Sequence, residues 1–376
     1  MRPIQMVDTK AQYLQIKQAV DAAIQDVLDN ANYINGKPVQ ELAAGLSNYL
    51  GVKHTIPCAN GTDALQIAMM ALGLEPGDEV ITPSFTYIAT TEVVALLRLK
   101  PVFVEVDAKT FCMDPESLRK AITPRTKAIV PVHLYGQAAN MEAIMQIAAE
   151  HKLFVIEDNA QAIGCDYTFS DGTVKKAGSI GHIGCTSFYP SKNLGAYGDG
   201  GAMFTNDDAL AAKLKMIANH GQQKRYYHEM VGCNSRLDSI QAAILNVKLA
   251  RLDAYNAARQ SVAAYYNHAF EGNAKIITPY VAPYTKHVYH QYTLVLNDVD
   301  RDGLSAWLAE KKVPSMIYYP VPGHKQAMFQ SFGLPEYQLD TTDWLTQRVI
   351  SLPVHTEMEE EQLAYITQQV LTYVNR

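Results

Sequence analysis

The residue with the most distinctive chemistry is Lys192, which lies between two strand-like runs, Ile183–Phe188 and Ala202–Thr205. A glycine-rich turn, Tyr197–Gly201, follows the lysine. A lysine amine can form a Schiff base with a carbonyl compound, and the best-known use of this reaction in proteins is to anchor pyridoxal phosphate (PLP). The position therefore predicts either a PLP-binding lysine or an ordinary surface lysine before a glycine-rich loop.

An acidic residue, Asp158, ends the apolar run that begins at Leu153. Burial disfavours a charged carboxylate, so an acid at the end of a buried strand needs a positive partner. A protonated pyridine nitrogen would supply that charge, and Gln161, three residues on, would be within reach of a phenolic oxygen on the same ring. A helix-capping aspartate is the alternative at this position.

Two further segments suit a phosphorylated aromatic ligand. Asn60, Gly61 and Thr62 form a turn that opens a helix, and the N–H groups of a helix N-terminus bind an anion such as phosphate. Tyr87 follows the next strand-like run and offers a ring that can stack on a pyridine. The respective alternatives are a plain capped helix and an aromatic side chain packed in the core.

These residues follow short apolar runs that alternate with helical patterns, which is typical of β-α units on a mostly parallel sheet. In such sheets the functional groups gather at the carboxyl ends of the strands. The predicted strands of this seven-stranded sheet are His54–Cys58, Glu79–Thr82, Val102–Val106, Ala128–Val132, Leu153–Ile156, Ile183–Phe188 and Ala202–Phe204. The helices predicted between them are Thr62–Leu72, Thr90–Leu97, Pro115–Ile122 and Met141–His151.

The flanking regions complete an α/β protein with a second, smaller unit. Helical periodicity predicts helices over residues 7–30 and from Pro38 to Leu50. We expect a mobile polar loop over Gln222–Asn234 and one long helix over Arg236–Phe270, which links the two units. The segments Tyr289–Leu296, Gly303–Lys311, Ser315–Tyr319, Val349–Pro353 and Glu359–Val374 predict a small α+β domain. The predicted domains are therefore 1–250 and 251–376.

Composition limits the function further. The formal net charge of -6, with no block of basic residues, argues against nucleic acid or an anionic membrane surface as a partner. The 5 cysteines form no Cys-x-x-Cys pair, so neither a disulfide framework nor a metal site is indicated. No apolar signal region or membrane-length run is found, and we expect a cytoplasmic protein.

Taken together, the chain resembles the DegT/DnrJ/EryC1/StrS family of PLP-dependent sugar aminotransferases over essentially its whole length. The segments that carry the resemblance are Ala59–Leu65, Gly77–Pro83, Glu157–Asp158, Phe188–Lys192 and Gly232–Asp238. The resemblance implies the aspartate-aminotransferase fold, which is the type I fold of PLP enzymes. It also implies a homodimer whose active sites lie at the subunit interface.

The resemblance also implies a role for each matching residue. Lys192 would carry PLP as a Schiff base and shuttle the proton, while Asp158 would pair with the pyridine nitrogen. The remaining cofactor contacts it implies are Gln161 at the 3-hydroxyl, Tyr87 over the ring, and Gly61, Thr62, Ser187 and the neighbouring subunit's copy of Asn234 at the phosphate. Glutamate is the expected amino donor and a keto nucleotide sugar the expected acceptor.

Within the family, Cys58–Ile67 and Tyr197–Ala202 are most similar to bacterial enzymes of 3-oxo nucleotide hexoses, including those of lipopolysaccharide O-antigen assembly. We place Arg236, Tyr318 and Tyr319 around the sugar. Many members have His-Tyr-Pro where this chain has Tyr318-Tyr319-Pro320, which leaves the sugar open. A structural arginine that caps the following helix is the alternative for Arg236.

Other functions remain to be weighed. A 4-keto sugar aminotransferase is the nearest alternative. A sugar dehydratase of the same family would have histidine in place of Lys192, and a cysteine or methionine lyase lacks the segment Asn234–Arg236. A non-catalytic regulatory protein on the same fold is the alternative from another class, and the presence of both Lys192 and Asp158 argues against it.

Overall fold

The computed structural model describes residues 1–376. The helices are α1 (Thr9–Asp29), α2 (Lys37–Leu50), α3 (Gly61–Ala71), α4 (Ala89–Leu96), α5 (Pro115–Ala121), α6 (Met141–His151), α7 (Asp208–Ile217), α8 (Ser239–Leu249), α9 (Leu252–Ala269), α10 (Arg301–Glu310), α11 (Asp340–Thr346) and α12 (Glu360–Val374). The strands are β1 (His54–Cys58), β2 (Glu79–Pro83), β3 (Lys100–Val104), β4 (Thr126–Ile129), β5 (Phe154–Asp158), β6 (Asp166–Thr168), β7 (Val174–Lys176), β8 (Ile183–Ser187), β9 (Gly201–Thr205), β10 (Gln222–Lys224), β11 (Tyr227–His228), β12 (Ile276–Ile277), β13 (Thr285–Lys286), β14 (Tyr292–Leu296) and β15 (Val349–Leu352).

The main sheet has seven strands in the order β1-β9-β8-β5-β4-β2-β3. The strands β8, β5, β4, β2 and β3 run parallel to one another, whereas β9 is antiparallel to both of its neighbours. The predicted mostly parallel seven-stranded sheet is therefore confirmed. Its parallel strands share one carboxyl edge, and this edge carries Asp158 and Ser187.

Both faces of this sheet are covered, which explains why its strands are continuous apolar runs and not alternating ones. Neighbouring side chains of a strand point to opposite faces, and Val80 and Ile81 of β2 accordingly belong to two different core clusters. The cluster with Val80 includes side chains of α3, α4 and α7, and the cluster with Ile81 includes side chains of α5 and α6. The sheet is thus a rigid layer between two layers of helices.

The C-terminal region has its own three-stranded sheet, β12-β14-β15, which packs against α9, α10 and α12 in a third core cluster. Ile4 from the N-terminus also belongs to this cluster. A second small sheet, β13-β6-β7, pairs Thr285 and Lys286 with strand β6, which follows the main sheet's central strand in the chain. The domain boundary predicted between residues 250 and 251 falls between α8 and α9 and stays a prediction.

Several predicted elements differ in the structure. The long helix predicted over Arg236–Phe270 is two helices, α8 and α9, with a break at Ala250 and Arg251. Part of the loop predicted over Gln222–Asn234 is ordered as the β10-β11 hairpin. The segment Ser315–Tyr319 forms no strand, only a single bridge between Met316 and Ser351.

No helix of this protein combines the length and the apolar character that a bilayer crossing requires.

Candidate active site

A cavity of about 510 Å³ opens at the carboxyl edge of the main sheet. It brings together most of the residues that the sequence singled out, namely Gly61, Thr62, Tyr87, Asp158, Gln161, Ser187, Lys192, Tyr318 and Tyr319. Asn60, Thr86, Tyr189, Ser191, Asp199, His290 and Gln291 also line it. Residues more than two hundred positions apart in the chain therefore meet in one site.

Lys192 lies in a tight turn that directly follows β8. The N–H of Lys192 donates to the carbonyl of Tyr189 at 2.8 Å, and the N–H of Ala196 donates to the carbonyl of Phe188 at 2.7 Å. A Cβ at Gly195 would collide with the carbonyl of Pro190, so this close turn requires glycine. The turn holds the backbone of Lys192 while its side chain reaches into the cavity.

The amine of Lys192 is easier to deprotonate than an ordinary lysine. Burial lowers its pKa from the ordinary value of 10.5 to about 8, and the nearby carboxylate of Asp158 partly offsets this effect. A neutral amine is the form that attacks a carbonyl carbon. The surroundings thus prepare Lys192 for Schiff-base chemistry at near-neutral pH.

Asp158 ends β5 and is 6% exposed. Its Oδ2 accepts a hydrogen bond from the hydroxyl of Thr90 at 2.8 Å, and its Oδ1 accepts one from the N–H of Ala160 at 3.2 Å. A carboxylate has about four acceptor positions, so these two donors leave capacity for a ligand N–H. The alternative of a helix-capping aspartate does not apply, because no helix begins after β5.

A second buried acid, Glu157, supports β5 from the other side of the strand. It accepts hydrogen bonds from His133 Nε2 at 2.8 Å and from the N–H groups of Gly178 and Ile180 at 2.8 and 2.6 Å. Burial alone would raise the pKa of Glu157, but these donors lower it below its ordinary value. Glu157 thereby ties β5 to the loop that precedes β8, and so holds the strand that carries Asp158.

The start of α3 and the end of β8 form a cradle for an anion. Asn60 caps α3 and accepts from the N–H of Asp63 at 2.8 Å, while the N–H groups of a first helical turn have no partner within the helix. A Cβ on Gly61 would lie 2.6 Å from the Cβ of Ser187, so only glycine permits this approach. Backbone donors and two hydroxyl groups, those of Thr62 and Ser187, surround the space.

Aromatic rings also line the cavity. Tyr87 is 55% exposed, and its ring centroid lies 6.1 Å from that of Tyr319. Gln161 is held between its neighbours: its Oε1 accepts from the N–H of Tyr135 at 2.8 Å, and its Nε2 donates to the hydroxyl of Tyr319 at 3.0 Å. The second amide hydrogen of Gln161 remains for a ligand. Tyr87 is not a core residue, contrary to the alternative at that position.

Two predicted site residues do not line this chain's own cavity. Asn234 is exposed and forms a backbone bridge with Asn219. Arg236 is half-buried, and its Nε is buried without a hydrogen-bond partner. Helix α8 begins only at Ser239, with Asp238 in the capping position, so Arg236 does not cap it.

Sequence reasoning missed His290 and Gln291, which come from the segment before β14. His290 is 4% exposed, and its Nδ1 has no partner. Burial, together with the nearby charges of Lys192 and Arg259, holds the pKa of His290 well below its ordinary value, so its imidazole is neutral. Two histidines in the run His287–Gln291 are the available signal, but they lie between β13 and β14, outside the main sheet whose carboxyl edge guides the prediction.

The residues present fit PLP. The cavity offers an amine of lowered pKa for its aldehyde, a buried carboxylate for its ring nitrogen, a helix N-terminus with hydroxyl groups for its phosphate, and aromatic rings for its face. None of these groups is already saturated by protein partners. The individual contacts remain predictions.

Comparison with known proteins finds similar proteins over nearly the whole chain. Residues 14–371 match the family described as "DegT/DnrJ/EryC1/StrS aminotransferase family". The chain is 47% identical to the UDP-2-acetamido-2-deoxy-3-oxo-D-glucuronate aminotransferase of Pseudomonas aeruginosa, over 96% of this chain and 98% of that protein. It is 44% identical to a pleiotropic regulatory protein of Geobacillus stearothermophilus, over 98% of each chain.

The structure is also similar to that of a DegT DnrJ EryC1 StrS aminotransferase from Brucella abortus. The TM-score is 0.93 at 41% identity, and the alignment covers 99% of this chain and 100% of that one. The predicted family, the predicted aspartate-aminotransferase fold and the predicted enzyme class are confirmed. The chain therefore belongs to the DegT/DnrJ/EryC1/StrS aminotransferase family.

Proposed function

We propose that this protein uses PLP to transfer an amino group from glutamate to a nucleotide-linked hexose that has a ketone at C3. The observation that carries the proposal is the placement of Lys192 and Asp158 in one cavity, with the pKa of the lysine lowered to about 8. Membership of an aminotransferase family gives the reaction class and the cofactor. The name of the Pseudomonas relative, at 47% identity, supports a 3-oxo sugar.

Each of the predicted site residues would have its own role toward PLP. When bound, PLP supplies an electron sink that stabilises negative charge on the carbon next to the transferred nitrogen. Lys192 would attach it, Asp158 would hold its ring nitrogen protonated, and Gly61, Thr62 and Ser187 would bind its phosphate. Tyr87 would cover its ring and Gln161 its 3-hydroxyl.

Lys192 would also move the protons of the reaction. Once the amino group of glutamate has displaced Lys192 from PLP, the freed and neutral Nζ would accept the proton from the α-carbon of glutamate. In the second half-reaction the same atom would donate a proton to the sugar carbon that receives the nitrogen. The lowered pKa suits both roles, because a base and acid works best when its pKa lies near the working pH.

We also propose a homodimer with shared active sites, as the family resemblance implies, and the position of Asn234 supports this proposal. Within its own chain this residue lies outside the cavity and is exposed, so a second copy is free to receive it. Mixing Lys192→Ala chains with Asn234→Ala chains tests the arrangement. Each mixed dimer then has one site with both defects and one with neither, so activity should return. Mixed dimers that form without activity would exclude a shared site.

Absorbance of the purified protein tests the cofactor directly. PLP bound through Lys192 absorbs visible light, and this absorbance should disappear on addition of glutamate. A protein that takes up no PLP would refute the enzymatic proposal and favour a regulatory role, which the name of the Geobacillus relative raises. The retained pair of Lys192 and Asp158 favours the enzyme.

The choice of sugar needs a substrate comparison. Matched 3-keto and 4-keto nucleotide hexoses should be offered with glutamate, and we expect turnover of the 3-keto sugar. Turnover of the 4-keto sugar alone would support the alternative and leave the aminotransferase in place. The expected setting is cell-surface polysaccharide or O-antigen synthesis in the cytoplasm.

Arg236 allows a finer test. Apart from Lys192, the cavity of one chain has no cationic side chain, so a sugar carboxylate would need a cation from the partner. A guanidinium binds a carboxylate through two parallel hydrogen bonds that lysine cannot reproduce. Arg236→Lys should therefore impair a 3-oxo-uronate far more than a neutral 3-oxo-hexose. Equal losses would assign Arg236 to the nucleotide phosphates or to structure.

A further inference from the structure

The residue next to the reactive lysine is anchored to a distant helix. Asn193 is 5% exposed, and its Nδ2 donates both to Asn256 Oδ1 at 2.7 Å and to the carbonyl of Val288 at 2.9 Å. Asn256 belongs to α9 and is also 5% exposed, and its Nδ2 donates to the carbonyl of Ile163 at 3.3 Å. The backbone that carries Lys192 is thus tied to α9 by a buried pair of amides.

The same side of α9 holds the segment that carries His290 and Gln291. Residues three and four positions apart share one side of a helix, and Asn256, Arg259 and Gln260 have this spacing. Gln260 Nε2 donates to the carbonyl of His287 at 2.8 Å. Arg259 Nη1 donates to the carbonyls of Tyr289 and His290 at 3.2 and 3.3 Å, and to that of Val354 at 2.8 Å.

Burial of the charged side chain of Arg259 is energetically unfavourable. The residue is 2% exposed and has no carboxylate partner, and burial lowers its pKa to about 10. A buried cation without a counterion costs free energy, which an apolar side chain of similar size would avoid. In return, one guanidinium group donates hydrogen bonds to three carbonyl groups, two in the segment before β14 and one after β15.

The segment that α9 grips lies against the active site. The N–H of Val288 donates to the carbonyl of Gly136 at 2.8 Å, and the N–H of Gln291 donates to that of Tyr135 at 3.2 Å. His290 and Gln291 of this segment form part of the cavity wall. The position of His290 and Gln291 relative to Lys192 therefore depends on the hydrogen bonds that Asn256 makes near the lysine and on those that Arg259 makes to this segment.

We propose that Asn256 and Arg259 are positioning residues that set Lys192 against the wall formed by His290 and Gln291. Asn256 acts through Asn193 on the backbone of the lysine, and Arg259 acts on the backbone of the wall. Neither side chain lines the cavity. The inference rests on the proposed function, because it assigns these residues to the reaction of Lys192.

The test compares two asparagines of the same helix. Asn256→Ala removes the acceptor of Asn193, whereas Asn267→Ala removes the acceptor of the Tyr292 hydroxyl, at 2.8 Å, in the C-terminal core cluster. Three quantities are measured on PLP-loaded protein: the rate of absorbance loss with glutamate, the pH midpoint of the absorbance, and Tm. The glutamate reaction needs no sugar, so the result does not depend on the identity of the acceptor.

We expect Asn256→Ala and Asn193→Ala each to slow the glutamate reaction by about 10- to 100-fold, the loss that misplacement of a reacting group by about an ångström causes. The pH midpoint should shift, because it reports the protonation of the Schiff-base nitrogen of Lys192, and a displaced lysine changes the position of that nitrogen relative to the charge of Asp158. Asn267→Ala should lower Tm by a similar amount and change neither the rate nor the midpoint.

A double variant supplies the decisive comparison. If Asn193 and Asn256 act as one unit, Asn193→Ala/Asn256→Ala should be no slower than the slower single variant, while Asn193→Ala/Asn267→Ala should show independent effects. Should Asn193→Ala not fold, Asn193→Ser keeps one donor and should give an intermediate rate. Additive effects of Asn193 and Asn256, with an unchanged midpoint, would overturn the inference. A wild-type protein without PLP absorbance would instead overturn the proposed function.

Discussion

Two lysines of this protein, Lys192 and Lys248, have been moved out of water and yet differ in every other respect. Burial lowers the pKa of each from 10.5 to about 8. Lys248 is 1% exposed, donates to the carbonyl of Gly195 at 2.6 Å and lies 4.5 Å from the centre of the Tyr197 ring. Lys192 has no hydrogen-bond partner for its Nζ and faces a cavity of about 510 Å³.

We infer from this comparison that desolvation alone does not distinguish the proposed catalytic lysine from a structural one. Lys248 has the same pKa as Lys192, but a carbonyl and a ring occupy the space around its amine. Its partner Gly195 belongs to the turn that holds Lys192. The hydrogen bond of Lys248 therefore stabilises the turn that carries Lys192. Only Lys192 combines the lowered pKa with free space and with the nearby carboxylate of Asp158, and we propose that its reactivity needs all three.

Removal of Lys192 should have the largest effect. We expect Lys192→Ala to abolish turnover with glutamate and keto sugar while the protein stays folded, because the side chain fills no core position. Turnover is measured over many cycles, with circular dichroism as the control for folding. Substantial remaining activity would assign the proton transfer to another base.

Asp158→Asn should have the next largest effect. The amide keeps the size of the side chain but loses the charge that would hold a ring nitrogen protonated. We expect kcat to fall by roughly 10²- to 10³-fold, comparable to the loss of a charge-stabilising group in other active sites. In cofactor-free protein the pKa of Lys192 should also fall, since Asp158 now raises it. The pH dependence of PLP uptake measures this, and an unchanged midpoint would contradict the pairing.

Thr90→Val should have a moderate effect. It removes the donor to Asp158 Oδ2 with little change in shape, and leaves a buried carboxylate with one donor fewer. A hydrogen bond to a charged group contributes about 1.5 to 3 kcal/mol, so kcat should fall by about 10- to 100-fold. Thr91→Val on the same helix loses only a hydroxyl that donates to the backbone carbonyl of Ile88, and it is the matched control. Equal kinetics of the two variants would show that Thr90 does not orient Asp158.

The main sheet and its carboxyl edge are predictable because local pattern decides them. Strands buried on both faces must be continuous apolar runs, and a parallel sheet must gather the residues that follow its strands. That is why Asp158, Ser187 and Lys192 can be assigned to one edge. Exact strand ends are less predictable: the run Val102–Val106 was expected, whereas β3 spans Lys100–Val104, since the pairing with β2 and not hydrophobicity sets its start.

The rest depends on contacts between distant segments. Asn256, Arg259 and Lys248 are polar residues in helical patterns, and such residues normally face solvent. Only the fold shows that these side chains donate hydrogen bonds to carbonyl groups of distant segments. The break between α8 and α9 also has no glycine or proline to mark it. His290 could not be predicted from the strand pattern of the main sheet, because it belongs to a segment that reaches the site from the C-terminal region.

The smallest kinetic effect is expected from Lys248→Met. This variant tests the contrast between Lys192 and Lys248 through the free energy of unfolding instead of through the reaction rate. The folded-state pKa of Lys248, about 8, lies below the 10.5 of the unfolded chain. The unfolded chain therefore binds more protons between these values, and the stability of the wild type should rise with pH across that window. Below pH 8 the buried charge costs the folded state up to about 3 kcal/mol.

Methionine fills a similar volume without charge, but it loses the hydrogen bond to Gly195, which contributes about 1 kcal/mol. Lys248→Met should therefore be at least as stable as the wild type at pH 7 and lose that advantage as the pH approaches 10.5, with kcat lowered by less than about 10-fold. Urea unfolding at several pH values measures this, and Lys213→Met at an exposed position of α7 is the control. A stability difference that stays constant with pH would mean that Lys248 is not desolvated as the structure shows, and would leave Lys192 as the one lysine whose charge the fold disfavours.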